Sequence, residues 1–135
     1  MNILELTAKV RRAKRVYIIG NGGSYANAQH IANDLLAVGI PAFTLDPSTL
    51  TASANDHGYE VVFARWLNVV AKPGDLLIAL SGSGKSPNIV NACRAAESLG
   101  MTVHCEFGLP QGFDMQASEE RQIWLGHEAM RALRK

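Results

Sequence analysis

Two short segments rich in glycine and serine have the residue types needed to hold a phosphate group. The first loop is GNGGS at 20–24, and the second loop is SGSGKS at 81–86. Small residues let the backbone approach a ligand, while hydroxyls, free N–H groups and a following helix start all favour an anion. Each loop follows an apolar run and precedes a stretch with helical spacing. The repetition predicts two polar cradles that act on one phosphorylated substrate.

Neither loop matches a nucleotide-binding motif. The first loop lacks the third glycine of G-x-G-x-x-G, and the second loop lacks the order G-x-x-x-x-G-K-[ST], although it ends in GKS. Either loop alone would be interpreted as an ordinary tight turn between a strand and a helix, because glycine is common in turns. The occurrence of both, with three serines in the second loop, favours the phosphate interpretation.

The hydrophobic spacing predicts alternating strands and helices around these loops. The predicted strands cover 15–19, 42–45, 76–80 and 101–105. The predicted helices cover 3–13, 26–36, 60–70, 87–99 and 118–133. The polar segment 46–58 is interpreted as a loop that visits the site, and 108–112 breaks the regular pattern.

This alternation predicts an α/β fold, a three-layer sandwich with a parallel sheet of four to five strands flanked by helices. We expect a single domain over 1–135. In such sheets ligands bind at the carboxyl ends of the strands, which is where both loops fall.

Composition restricts the function classes. With 47% hydrophobic and 19% charged residues, the 135-residue chain is an ordinary globular one. A net charge of +1 provides no basic field for nucleic acid or anionic membranes, so a small-molecule partner is favoured. No apolar segment approaches a membrane span and the start lacks the order of a signal peptide, which predicts a cytoplasmic protein. Cys93 and Cys105 have neither metal-motif nor disulfide-framework spacing and are interpreted as packing residues.

Further motifs accompany the two loops. They are AQH at 28–30, ANDHG at 54–58, SPN at 86–88 and GH at 126–127. In this order they resemble the SIS domain of the phosphoheptose isomerase family, continuously over 16–101 and again near the GH pair. The resemblance implies a flavodoxin-like strand order, a homo-oligomer (tetramer or dimer) with sites near subunit contacts, and isomerisation of sedoheptulose 7-phosphate to D-glycero-D-manno-heptose 7-phosphate through an enediol.

The resemblance also implies substrate contacts. By this likeness the second loop binds the sugar phosphate, and the first loop and the ANDHG motif contact the substrate. The residues so assigned are Asn21, Gly22, Ser24, Asn55, Asp56, Ser81, Gly82, Ser83 and Ser86. Residues 55–57 also suit a turn built from polar caps. Lys85 either adds an ion pair to the phosphate or points into solvent.

Isomerisation needs a base that moves a proton between adjacent carbons and an acid at the carbonyl oxygen. His30 and Asp34 are four residues apart on one predicted helix and therefore share a face. The resemblance implies catalysis by Asp34 and His127. It also implies a Zn²⁺ site whose ligands are His30, Asp34, Glu119 and His127.

Two of these ligands depart from the resembled pattern. Asp34 replaces a glutamate and is one methylene shorter, and Glu119 replaces a glutamine, so a second carboxylate would weaken the Lewis acidity of the metal. Glu119 also follows Ser118 at a predicted helix start, where an acidic first turn is expected for stability alone. His127 follows Gly126 and also suits a contact between helices.

Other departures leave a second function open. The helical extension before the first strand is short, an arginine near Val38 is missing, and the span between Cys105 and Ser118 is too short for a fifth strand and its helix. The favoured function is a phosphosugar isomerase. The alternative is a non-catalytic SIS module that binds a phosphosugar as a sensor or serves as an oligomeric scaffold for a protein partner.

Overall fold

The computed structural model describes residues 3–107 and 114–134 of the chain. The helices are α1 (Ile3–Arg12), α2 (Gly23–Ala37), α3 (Pro47–His57), α4 (Val62–Val70), α5 (Pro87–Ser98) and α6 (Met115–Leu133). The strands are β1 (Val16–Ile19), β2 (Ala42–Phe43), β3 (Leu76–Ser81) and β4 (Thr102–Phe107). A single 3-10 turn, Tyr59–Val61, precedes α4.

The strands form one parallel sheet with the order β2-β1-β3-β4 in the described part of the chain. The central pair is in register from Val16 opposite Leu76 to Ile19 opposite Ala79. This is the start of the flavodoxin-like order. The prediction of an α/β sandwich with a parallel sheet is confirmed.

Apolar side chains cover both faces of the sheet. On one face, Ile18 and Ile78 pack with residues of α1, α2 and α6, such as Val10 and Leu35. On the other face, Leu77 packs with residues of α4 and α5. All six residues of β3 are buried, which explains why this strand is a continuous apolar run rather than an alternating one.

The segment predicted as a site loop, 46–58, is mostly helical, and that prediction was wrong. The Asp46 carboxylate caps α3 by accepting a 3.0 Å hydrogen bond from the Thr49 amide, and Pro47 occupies the first helical position. No residue of α3 is buried, so the segment has no apolar periodicity to reveal it. The sequence signal that indicates a helix start here is the pair Asp46 and Pro47, an N-cap residue followed by proline.

The last helix begins earlier than predicted. Its cap is Asp114, whose carboxylate accepts a 2.8 Å hydrogen bond from the Ala117 amide. Ser118 is therefore a buried residue inside α6 and not its cap. Glu119 lies beyond the first turn, so the helix-start explanation for its charge does not apply. The predicted irregular stretch 108–112 lies outside the described residues.

None of the helices in the described ranges combines the length and the apolar character that crossing a bilayer requires.

Candidate functional site

The two loops lie next to each other because they leave neighbouring parallel strands at the same edge of the sheet. The first loop follows β1 and leads into α2, and the second loop starts at the end of β3 and leads into α5. The carboxyl ends of adjacent parallel strands form the usual ligand site of this architecture. Gly22 caps α2 with a φ of 56°, a conformation that favours glycine.

Side-chain amides join the two loops. Asn21 of the first loop donates to the Asn88 Oδ1 atom at 2.9 Å, and Asn88 of α5 donates back to the Asn21 Oδ1 atom at 2.9 Å. The Tyr59 hydroxyl donates to the same Asn21 oxygen at 2.5 Å, so both lone pairs of that oxygen are used. Asn88 is only 2% exposed. Asn88 and Tyr59 were not assigned from the sequence, although Asn88 belongs to the quoted SPN motif.

Ser24 ties α2 to α6. It is buried, and its hydroxyl accepts a 3.1 Å hydrogen bond from the Gln122 amide. The Asn27 amide donates to the Gln122 side chain at 3.0 Å and to the Glu119 carbonyl at 2.9 Å. The structure therefore places Ser24 in a contact between helices, and not on the open surface expected for a substrate-lining residue.

Hydrogen bonds within the second loop stabilise its conformation. Ser81 accepts a hydrogen bond from the Gly84 amide at 2.9 Å, and Ser83 accepts one from the Lys85 amide at 3.1 Å. A hydroxyl that accepts in this way keeps its own proton free to donate. Ser86 caps α5, but its side chain makes no capping hydrogen bond. The predicted phosphate residues thus surround the start of a twelve-residue helix, whose amide dipoles favour an anion.

A groove opens beside the first loop. It is lined by Gly20, Asn21, Gly22, Tyr25, Pro47, Leu50, Thr51 and Tyr59. The Tyr25 hydroxyl donates to the Leu45 carbonyl, and burial together with the charge of Asp46 raises the pKa of Tyr25, which keeps it a donor. Helix α3 reaches the groove through its first two turns.

Asn55 and Asp56 do not line this groove. The Asn55 amide donates to the Asp56 carboxylate at 3.2 Å on the exposed side of α3. Asp56 lines a separate groove between α3 and α4, with residues such as Arg65 and Trp66. The two grooves share no lining residue.

Three side chains from α2 and α6 converge at a second centre. The Nε2 atoms of His30 and His127 are 3.0 Å apart, and they lie 3.3 and 3.6 Å from the Asp34 Oδ2 atom. One helical turn separates His30 from Asp34. Gly126 allows the close approach of α6, because a Cβ atom there would meet the Ile31 side chain at 2.6 Å.

The donor atoms of this centre point at one another. The Asp34 Oδ2 atom is buried and accepts no hydrogen bond, and two imidazole nitrogens face it. Converging lone pairs need a proton or a cation between them. Two histidines and one carboxylate are also a ligand set of catalytic zinc sites, which leave a fourth position for water or substrate. The residues present therefore fit Zn²⁺.

Glu119, the fourth ligand suggested by the resemblance, is not part of this centre. Within the ranges 3–107 and 114–134, the group whose ligand atoms lie within 4.8 Å of one another contains His30, Asp34 and His127 alone. The Glu119 carboxylate instead lies against Gly23, at the start of α2. Glu119 and His127 are about 12 Å apart along α6, and the Glu119 side chain is directed at the start of α2 and not at the two histidines.

Comparison with known proteins identifies the family. The SIS domain family model matches residues 3–105, which is more than half of the chain. The chain belongs to the SIS domain family. The resemblance seen in the loop motifs is thereby confirmed.

Two relatives of this SIS domain are phosphoheptose isomerases from bacteria. The phosphoheptose isomerase of Burkholderia pseudomallei (strain K96243) is 46% identical over 103 residues, covering 70% of this chain and 52% of the relative. That of Mycobacterium tuberculosis (strain ATCC 25177 / H37Ra) is 44% identical over 106 residues, covering 73% and 54%. The chain spans about half the length of the curated relatives it matches.

A solved structure of phosphoheptose isomerase from Neisseria gonorrhoeae superposes on this SIS domain with a TM-score of 0.87. It is 27% identical and the match covers 97% of this chain and 82% of that chain. The family model includes both loops, His30 and Asp34, whereas His127 lies beyond its last matched residue. The place of His127 in the site therefore depends on the packing of α6 against α2.

Proposed function

We propose that this SIS domain is an aldose–ketose isomerase of a phosphorylated sugar, with sedoheptulose 7-phosphate and D-glycero-D-manno-heptose 7-phosphate as the interconverted pair. The phosphoheptose isomerases to which the chain is similar support the reaction class and the substrate. The observation that carries the proposal is the centre formed by His30, Asp34 and His127, because it brings a carboxylate and two imidazoles together between α2, the helix that follows the first loop, and α6.

The second loop binds the phosphate in this proposal. The hydroxyls of Ser81, Ser83 and Ser86 donate to the phosphate oxygens, and the small Gly82 lets the backbone approach them. Asn21 and Gly22 lie at the groove beside the first loop, where the sugar chain would lie. A neutral set of donors at a helix start binds a dianion without a fixed counter-charge.

The centre on α2 and α6 performs the proton transfer in this proposal. The Asp34 carboxylate carries the proton between C1 and C2 of the sugar. His127 gives a proton to the carbonyl oxygen as the enediol forms and takes one from the other hydroxyl as the new carbonyl forms. His30 and His127 with Asp34 would hold the zinc ion. When bound, zinc supplies a Lewis acid that polarises the carbonyl oxygen.

We further infer a cytoplasmic homo-oligomer, a dimer or a tetramer, with this centre near a subunit contact. The large apolar side chains of Leu36 and Trp124 are about half exposed on α2 and α6, the two helices that carry the centre. These exposed apolar side chains provide the surface on which we infer that a second copy packs. Light scattering of the purified protein gives its mass in solution, and a monomer at every concentration would contradict this inference.

Deuterium exchange tests the isomerase proposal. The protein is incubated with sedoheptulose 7-phosphate in deuterated water, with and without added zinc, and NMR follows deuterium at C1 and C2. We expect exchange that Asp34→Asn lowers by at least about 100-fold, because the base is lost. Asn33→Ala is the matched control, since Asn33 is an exposed neighbour on the same helix.

The possible outcomes separate the two functions. Exchange that depends on Asp34 and survives Asn33→Ala supports the isomerase. Tight binding of the sugar phosphate without any exchange, retained in Asp34→Asn, would instead establish a phosphosugar sensor. Absence of both binding and exchange would refute the proposed substrate.

A further inference from the structure

The two cysteines of the chain lie in contact although they are on different elements. Cys93 is in α5 and Cys105 is in β4, and their sulfur atoms are 3.7 Å apart. Both residues are partly buried against the apolar cluster beneath α4 and α5. The predicted packing role is therefore accompanied by a thiol–thiol contact that the spacing of the cysteines did not indicate.

The surroundings distinguish the two sulfur atoms. A hydrogen bond from the Cys93 thiol, helped by the charge of Lys9, lowers the pKa of Cys105 to about 7. The same hydrogen bond, together with burial, raises the pKa of Cys93. Lys9 of α1 reaches the edge of β4, where it donates to the Val103 carbonyl at 3.2 Å, and Glu97 of α5 opposes it. Near neutral pH, Cys105 is the nucleophile and Cys93 the neutral partner.

We propose that Cys93 and Cys105 form a reversible intramolecular disulfide by exchange with a low-molecular-weight disulfide such as oxidised glutathione. This inference is independent of the proposed isomerase activity. It rests on the contact of two sulfur atoms held by a helix and a strand that pack together.

The exchange balances in two steps. The Cys105 thiolate attacks one sulfur of the oxidised disulfide, forming a mixed disulfide and releasing one thiolate. Cys93 then loses its proton, attacks the Cys105 sulfur and releases the second thiol. The two cysteines are oxidised by two electrons, the small disulfide is reduced to two thiols, and no other reactant is needed.

The movement required is small. A disulfide bond of about 2.0 Å asks the sulfur atoms to approach by roughly 1.7 Å, which is within the reach of side-chain rotation. The bond closes the loop from 93 to 105 and ties α5 to the edge strand β4. Because the cross-link restricts the unfolded chain, we expect oxidation to raise Tm by about 5 °C.

Mass spectrometry of the folded protein treated with oxidised glutathione tests the inference. We expect a loss of about 2 Da without an adduct, and a peptide map in which the two cysteine peptides are joined. Cys93→Ser should retain a stable glutathione adduct of about 305 Da, because no second thiol resolves it. Cys105→Ser should react at least about tenfold more slowly, because the remaining thiol is mostly protonated.

Other outcomes would overturn the inference. These are adducts that persist on both cysteines of the wild-type protein, or a folded protein that stays reduced while the same protein in urea is oxidised. A melting curve gives a second measurement, since a Tm that rises on oxidation and returns with dithiothreitol supports the bond. An unchanged Tm in the protein with the mass of the disulfide form would contradict the expected link between α5 and β4.

Discussion

The two loops are alike in composition, but their partners differ. In the first loop, Asn21 bonds to Asn88 and Tyr59, and Ser24 bonds to Gln122, so its side chains reach three other elements. In the second loop, the bonds of Ser81 and Ser83 within the described ranges 3–107 and 114–134 are to amides of their own loop. The first loop is therefore part of the framework, whereas the hydroxyl protons of Ser81 and Ser83 are not used in these bonds, which agrees with the ligand role proposed for the second loop.

The difference teaches that glycine and serine serve two purposes in similar loops. In the first loop the small residues allow close packing of the protein against itself. In the second loop, by our proposal, they leave space and donors for a phosphate. The following changes test this contrast, from the largest expected effect to the smallest.

Gly20→Ala should cause the largest loss of stability. The added Cβ atom would lie 2.6 Å from the backbone carbon and oxygen of Ser24, which cannot move without shifting the start of α2. We expect the free energy of unfolding to fall by about 3 kcal/mol. Urea unfolding followed by circular dichroism measures it.

Gly82→Ala is the matched control in the second loop. Its Cβ atom would meet the Met115 sulfur, the flexible end of a half-exposed side chain that can swing away. We expect a loss below about 1 kcal/mol. Equal losses for the two glycines would refute the distinction between a framework loop and an open loop.

Loss of the Asn88 side chain should be the next largest effect. In Asn88→Ala the partly buried Asn21 amide loses its partner, and we expect a loss of stability of about 2 kcal/mol. Asn91→Ala, which removes one bond to the Glu60 carbonyl on the exposed side of the same helix, should cost about 0.5 kcal/mol. A double-mutant cycle with Asn21→Ala should show coupling; strict additivity would mean that the amide pair does not join the loops.

Ser83→Ala should affect binding and not stability. Its exposed hydroxyl is a predicted phosphate donor, so we expect inorganic phosphate and the sugar phosphate to bind about five- to tenfold more weakly. Calorimetric titration measures the change. Ser98→Ala at the far end of α5 is the control and should leave both properties unchanged. A loss of stability without a loss of binding would place Ser83 in the framework.

Lys85→Ala should have the smallest effect. The side chain is exposed, so an ion pair with the phosphate would change the affinity by less than about fivefold at physiological salt. The change should grow at low ionic strength if the ion pair exists. Lys72→Ala removes the same charge far from the loop and serves as the control. Identical salt dependence for the two variants would show that Lys85 points into solvent.

Local signals in the sequence were sufficient for most of the fold. Strands β1 and β3 are apolar runs that end in glycine loops. Helices α2 and α5 have apolar residues at helical spacing and end at recognisable glycine signals, so each element can be predicted from a short stretch of sequence. Helix α3 was missed because it buries none of its residues and therefore lacks the apolar period. The start of α6 was misplaced because Ser118 imitates a cap that Asp114 actually provides.

The candidate site was predicted in part. His30 and Asp34 share one helix, so their common face follows from a spacing of four residues. The position of His127 next to His30 was expected only from the family resemblance, because the two residues are ninety-seven positions apart in the sequence. Glu119 was assigned to the same centre by the resemblance, but its carboxylate lies against Gly23 at the start of α2.

Residue types and spacing alone determined the α/β class and the helical pair of His30 and Asp34, because these depend on neighbours in the chain. The phosphate role of the two loops stays a prediction. Only the tertiary structure decided that Asn21 pairs with Asn88, that α6 completes the His30 centre, and that the sulfur atoms of Cys93 and Cys105 touch. Such contacts depend on how helices pack against the sheet, and no local propensity encodes that geometry.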